Sequence, residues 1–388
     1  MKDGFFKMLF SIGTLTFLFP ALPSLWAQAS DTPPGLWSRL TADNEFKNPQ
    51  NWVDGVVPDS PYFNESRQST LDFGTGVIVA NFTVTLLRPF YDPPTVFTFG
   101  AGAIGSQVLT LKDGGNIEAT ALFLDIQTFN SKIVLGETGG PGTYSIGGSV
   151  RINGPISGGV GGSEGNKTLT LASEAAVDFR IHGEISNGGA SSLGVILASS
   201  SGVPIYVFHA KNTYTGDTVL EVNTILKLAT DFAISQLSDV TMQRGSMLSF
   251  DGGDQHFGQL SLAGPPPFSP FGDEVILDFG FGSGLSAEAS FADSHDLEWM
   301  YKLALGNFDI GLDTLRFGTS DTALTDEQLS MIYLPGYAAD LDQNGYVVFT
   351  AIPEPHTIGL FVLGFLVAGA ASLAQSRRLS SRGTSKIA

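Results

Sequence analysis

The chain has no cysteine among its 388 residues, which excludes a disulfide framework, cysteine-based zinc sites and thiol catalysis. Charge is scarce too, at 15% of residues, and basic side chains are scarcer than acidic ones, 20 against 38. Nucleic acid is therefore excluded as a partner, because binding it relies on neutralising phosphates with Lys and Arg. The five histidines, at 182, 209, 256, 295 and 356, show no His-x-x-x-His spacing, so the helical zinc-protease pattern is missing. Helical periodicity is not sustained through residues 71–264 either. What is abundant is glycine, 47 residues, with apolar and β-branched runs of four to seven residues between Gly, Asn, Asp and Ser clusters. That composition favours short strands joined by tight turns and an all-β fold.

At the start, Lys2 and Lys7 precede an apolar stretch broken by Pro20 and Pro23 and closed by Ala27-Gln28-Ala29. This is the layout of a secretory signal peptide, with Ala27 and Ala29 as the small residues of the cleavage site. Setting aside residues 1–29 (Lys2, Lys7, Asp3) and 353–388 (Arg377, Arg378, Arg382, Lys386, Glu354) leaves 14 basic and 36 acidic residues, a net of −22. Such a charge keeps an exported body soluble and can gather divalent cations. Trp37 and Trp52 follow in a turn-rich stretch and are expected to cap an open end of the core.

The middle of the chain repeats itself. "RINGPISGG" at 151–159 returns 29 residues later as "RIHGEISNGG" at 180–189, and "LTLAS" at 169–173 is matched by "VILAS" at 195–199. Recurrence at this period marks a solenoid, whose units cannot bury their apolar faces alone and stack on their neighbours. Ile152 and Ile181 should then point into one apolar column. An antiparallel β-sandwich of similar short strands is the alternative.

"NTYTGDTVLEVNTILKLA" at 212–229 resembles the autotransporter-associated β-strand repeat through Asn212, Thr213, Tyr214, Thr215, Gly216, Thr218 and Thr224. The resemblance implies a right-handed parallel β-helix. The chain departs from the pattern at Asp217, where a second Gly is usual, and at Val222-Asn223 in place of Ala-Gly; Asn223 is a workable substitute because Asn visits positive φ. Beyond it, the proline-rich "GPPPFSPFGDE" at 264–274 reads as a boundary or a loop leaving the solenoid, and a short helix is expected from Thr325 as N-cap, with Glu327 and Gln328 in its first turn.

Enzyme motifs occur in the wrong context. Gly100-x-Gly102-x-x-Gly105 matches a dinucleotide fingerprint but leads into the strand-like "SQVLTLKDGG", and Gly161-x-Ser163-x-Gly165 matches a nucleophile elbow but also leads into a strand; both motifs require a helix there. "DGGDQH" and "ADSHD" read as polar turns. "DLDQNGY", with Asp340, Asp342, Asn344 and Gly345, opens like a calcium loop, but its twelfth position is Ala351 rather than Glu. No pair among the acidic residues is singled out for glycoside hydrolysis, and the sequons at Asn64, Asn81 and Asn166 are near chance expectation. No catalytic, cofactor-binding or metal-binding residue is assigned, and the chain reads as a non-enzyme.

The end is the most informative part. Thr357 to Ala374 is 18 residues without a charge, long enough as a helix to cross a bilayer once, and Arg377 and Arg378 follow it. Pro353-Glu354-Pro355, the apolar span and the arginine pair together resemble the PEP-CTERM sorting signal of Gram-negative bacteria with exopolysaccharide-rich surfaces. That resemblance implies an exosortase as processing partner, a membrane-anchored stage, and then the cell surface or extracellular matrix. The chain divides accordingly into a signal peptide (1–29), an N-terminal cap segment (30–70), a β-solenoid repeat region (71–264), a β-rich segment (265–352) and a sorting signal with a transmembrane helix (353–388). The function expected is that of a structural or adhesive surface or matrix protein; the alternative is a β-helix that binds or cleaves polysaccharide.

Overall fold

In the computed structural model of the protein, the Gly, Asn and Ser clusters become corners and the apolar runs between them become strands. It describes residues 35–38, 43–64, 69–86, 96–121, 126–137, 140–159, 165–174, 178–250, 253–264, 274–280 and 286–353. The described fold is all-β with almost no helix, a parallel β-solenoid of about 9 turns. The signal peptide, Glu354, Pro355, the apolar span and the arginine pair lie outside the described residues, and Pro353 is exposed at their edge.

Each turn carries its chain across three faces. The first is an eleven-stranded sheet running from Ser69–Leu71 to Ile332–Tyr333, every pair parallel. At about 4.8 Å per strand it extends roughly 48 Å. The second and third faces are joined where Val77–Leu86 and Val108–Ala121 bend across the corner between them. In the latter, Val108–Leu111 pairs with Lys132–Leu135, while Asn116–Ala119 pairs with Gly142–Gly148. The ladder does not stop at Gly264: Ile276 pairs with Met247, and Lys302–Gly306 with Glu274–Asp278. The proline-rich stretch, most of it outside the described residues, falls between consecutive strands of the first face.

The sequence repeat is a register. Arg151 pairs with Arg180 and Ile152 with Ile181, Ile156 with Ile185, and Leu169 to Ser173 with Val195 to Ser199, all in parallel. Ile152 and Ile181 are both buried in one column that runs Leu71, Phe99, Phe129, Ile152, Ile181, Phe208, Leu228, Phe250 through successive pairings. Parallel ladders throughout the three faces overturn the antiparallel sandwich alternative. Period-two alternation is why the column forms: on each strand every second side chain points inward. Burial of each large apolar side chain contributes about 1.5–3 kcal/mol, and such packing does in this chain what disulfides do in small exported domains.

Corners must be small. A Cβ on Gly183 would overlap the carbonyl of Gly154, and one on Gly154 would overlap that of Ser131. Glycine at this point of the repeat is thus required by the neighbouring turn rather than by its own dihedral angles.

At the N-terminal end, Trp37 and Trp52 meet edge-on at 4.8 Å, with Phe46 and Phe63 packed against Trp52, and the two indoles are buried. Trp52 Nε1 donates to the Phe46 carbonyl at 2.9 Å. At the other end lies the helix Asp326–Met331, capped by Thr325 in a reciprocal box with Gln328. An antiparallel hairpin of Tyr337–Leu341 and Val347–Ala351 follows. No helix among the described residues is long and apolar enough to cross a membrane.

Candidate functional site

The second face is interrupted. After Ile185–Ser186 it has no strand for two turns, and it resumes as a three-stranded sheet of Asp254–His256, Glu288–Phe291 and Thr314–Phe317. Backbone ladder bonds missing from those turns are replaced by side chains. Asn212 Oδ1 accepts from the Ile185 amide at 2.7 Å and its Nδ2 donates to the Ala233 carbonyl; the Ala233 amide in turn donates to Gln255 Oε1 at 3.1 Å. The rest of the resembling segment is equally committed to structure. Buried Tyr214 shares a hydroxyl chain with Thr218 (2.7 Å) and Ser238 (2.8 Å), and burial raises its phenol far above the usual range. Thr224 donates to the Glu221 carbonyl, and Asn223 takes a φ of 60°, as its replacement of Gly requires.

The surface is recessed where the strands are missing and along the sheet that follows. One cavity of about 340 Å³ lies beside Lys211, Asn212, Phe232 and Leu237, and a second, of about 420 Å³, beside Leu237, His256, Ser290, Arg316 and Thr319. They adjoin at Gln236 and Leu237, with Leu237 standing exposed between them, and together make a shallow lateral groove. Along it runs a row drawn from five consecutive turns, Lys211, Phe232, His256, Ser290 and Arg316, in which the last three are register partners. Phe232 has a φ of 52°, a left-handed conformation that costs a bulky residue on the order of 1–3 kcal/mol. In that conformation its ring lies 4.8 Å from Lys211 Nζ and stacks on His256 at 5.3 Å. Arg316 lies over the Tyr346 ring at 5.2 Å and donates through Nε to the Asn344 carbonyl.

A second polar row marks the corner after the first face. Asn153 donates to Asn130 at 2.8 Å, and on the next two turns His182 and His209 stack with ring centroids 4.1 Å apart. Burial, and then the charges of His209, Arg151 and Arg180, hold His182 below its usual range.

The motifs discounted in the sequence sit as follows. Gly100, Gly102 and Gly105 form turns with positive φ that lead into the strand Val108–Ala121. Ser163 lies outside the described residues. "DLDQNGY" is the hairpin turn: Asp342 Oδ1 accepts from the amides of Asn344 and Tyr346, both at 2.9 Å, which hold its carboxyl below the usual carboxylate range. Asp340 accepts from the Leu341 amide, so the calcium-like opening serves the turn. Among the described residues no group of three or more His, Asp or Glu is placed to hold a metal ion. On the third face burial, and then Asp239 one turn on, raise the Asp217 carboxyl. Asp239 Oδ1 accepts from the Gln259 amide at 2.7 Å, and neither carboxylate lines the groove.

Of the groove row, the sequence pointed only at His256, as part of a polar turn. Its members are separated by 21, 24, 34 and 26 residues, because corner loops differ in length from turn to turn, and no fixed period reveals them. No family model, curated protein or solved structure matches the chain, so the resemblances of 212–229 and 353–388 rest on their residues alone.

Proposed function

We propose that the chain is an exported bacterial surface or extracellular-matrix protein, structural or adhesive and without enzymatic activity. Residues 1–29 direct it out of the cytoplasm and residues 357–374 hold it in the membrane as a single helix. An exosortase-type enzyme then processes it at Pro353-Glu354-Pro355. In this reading the solenoid is right-handed, as the resemblance of residues 212–229 implies. The observation that carries it is the first face: eleven parallel strands in register make a scaffold whose length is set by the number of turns. A rod of this kind acts as a spacer that displays its lateral surfaces. The acidic body, −22 net, supports a solvated position away from nucleic acid.

The test is accessibility on intact cells. With an antibody against the solenoid body, cells of an exosortase-bearing host should label without permeabilisation, and external protease should remove the signal. Labelling seen only after lysis would overturn the reading.

A further inference from the structure

We infer that the groove on the second face is a binding site for an acidic polysaccharide, with Lys211 and Arg316 receiving sugar carboxylates at its two ends. The inference deepens the surface-protein reading by naming a ligand class, and rests on it for the source of such a polymer.

Charge complementarity is the first ground. The body carries 36 acidic and 14 basic residues, yet among the described residues the linings of the two cavities contain Lys211 and Arg316 and no Asp or Glu. Glu184, one turn before Lys211, accepts the hydroxyl of Thr213 at the rim. The register pair Asp254 and Glu288 stands beside the row, and Arg316 already attracts Asp342, so the two cations at the ends, rather than the face as a whole, are the points that would hold an anion.

Shape and spacing are the second ground. Members of the row are one turn apart, about 4.8 Å, so Lys211 and Arg316 are separated by roughly 19 Å along the axis. An extended polymer lying along the groove meets a new group at every turn. At the junction of the two cavities stands Leu237, 66% exposed, an apolar surface for the C–H face of a sugar ring. Gln236, Ser290 and Thr319 offer hydrogen bonds to hydroxyls. Both cations are already braced against aromatic rings, Lys211 on Phe232 and Arg316 on Tyr346, so little side-chain freedom is left to lose on binding.

A peptide fits less well. Recognition of an extended peptide draws on a free strand edge; residues 288–291 are paired on both sides, and the outer edge of Asp254–His256 is short and already receives the Phe232 amide at the Asp254 carbonyl.

Calorimetric titration of the full-length chain in a non-ionic detergent tests the site, with polygalacturonate and alginate as probes, dextran as the neutral polymer and poly-glutamate as the acidic peptide. At least one uronate polymer should bind, more weakly as salt rises, while dextran does not. The double variant Lys211→Met, Arg316→Gln should weaken that binding by about tenfold, as expected for two partly solvated ionic contacts. Leu237→Ala, at a side chain too exposed to matter for folding, should weaken it as well while leaving the circular dichroism spectrum unchanged. Absence of binding by both uronates, equal binding of poly-glutamate, or unchanged affinity in both variants would overturn the site. None of these outcomes bears on where the protein resides, which labelling of intact cells decides separately.

Discussion

Asn212 hydrogen-bonds to the Ile185 amide on the turn before it, and through its Nδ2 to Ala233 on the turn after it, so one side chain bridges a face that has lost its strands. Replacing it with Leu leaves a buried amide and a buried carbonyl without partners, at about 1–3 kcal/mol each. Asn212→Leu should therefore lower the urea unfolding midpoint of the full-length chain by the equivalent of roughly 2–6 kcal/mol. An unchanged midpoint would mean that water or backbone closes the gap without Asn212.

Gly183 is fixed by its neighbour rather than by its dihedral angles. An added methyl group would strike the Gly154 carbonyl on the preceding turn, and overpacking of this kind costs about 1–3 kcal/mol or more. Gly140→Ala is the comparison, since a Cβ there meets nothing within 4 Å and the change should stay within about 0.5 kcal/mol. Thermal unfolding of the two variants side by side should separate them clearly; equal midpoints would show that the turns slide apart freely.

The His182–His209 stack should make stability fall on acidification. Burial lowers the His182 pKa from 6.5 in the folded chain, so the unfolded chain takes up its proton first as pH drops. The contribution is neutral above about pH 6.5 and turns destabilising below it, until the folded-state pKa is passed. His209, Arg151 and Arg180 add repulsion. His182→Asn would continue the Asn130–Asn153 row and should flatten the fall in unfolding midpoint between pH 7 and pH 5. A variant whose midpoint falls as steeply as that of the unaltered chain would place the pH dependence elsewhere.

How much of this was readable in advance follows from what repeats. The pair Ile152 and Ile181 was legible because the corners flanking them, Asn153-Gly154-Pro155 and His182-Gly183-Glu184, have equal length, and so the stacking shows as a period in the sequence. Thr325 and Gln328 were legible because a capping box is a local device, complete within four residues. Lys211, Phe232 and Arg316 were not: Lys211 and Phe232 lie in turns without a strand on this face, Arg316 lies on a strand, the loops between them differ in length, and only the stacking brings them into line. The strain at Phe232 was equally hidden, because a positive φ is anticipated for Gly or Asn, as at Asn223, and not for an aromatic residue.

The central claim is that this solenoid is delivered and then processed through its last residues, and the most direct measurement is the size and location of the full-length chain in two hosts. In the proposed function, recognition falls to Pro353-Glu354-Pro355, where proline disfavours a helix, and anchoring to the apolar span followed by Arg377 and Arg378. In a host with an exosortase the chain should be shortened by roughly the mass of residues 353–388 and leave the membrane fraction. In a host without one it should remain full length and membrane-bound, and Glu354→Ala should produce that same full-length, membrane-bound form in the first host. Equal processing in both hosts, or normal shortening of the Glu354→Ala chain, would contradict the account.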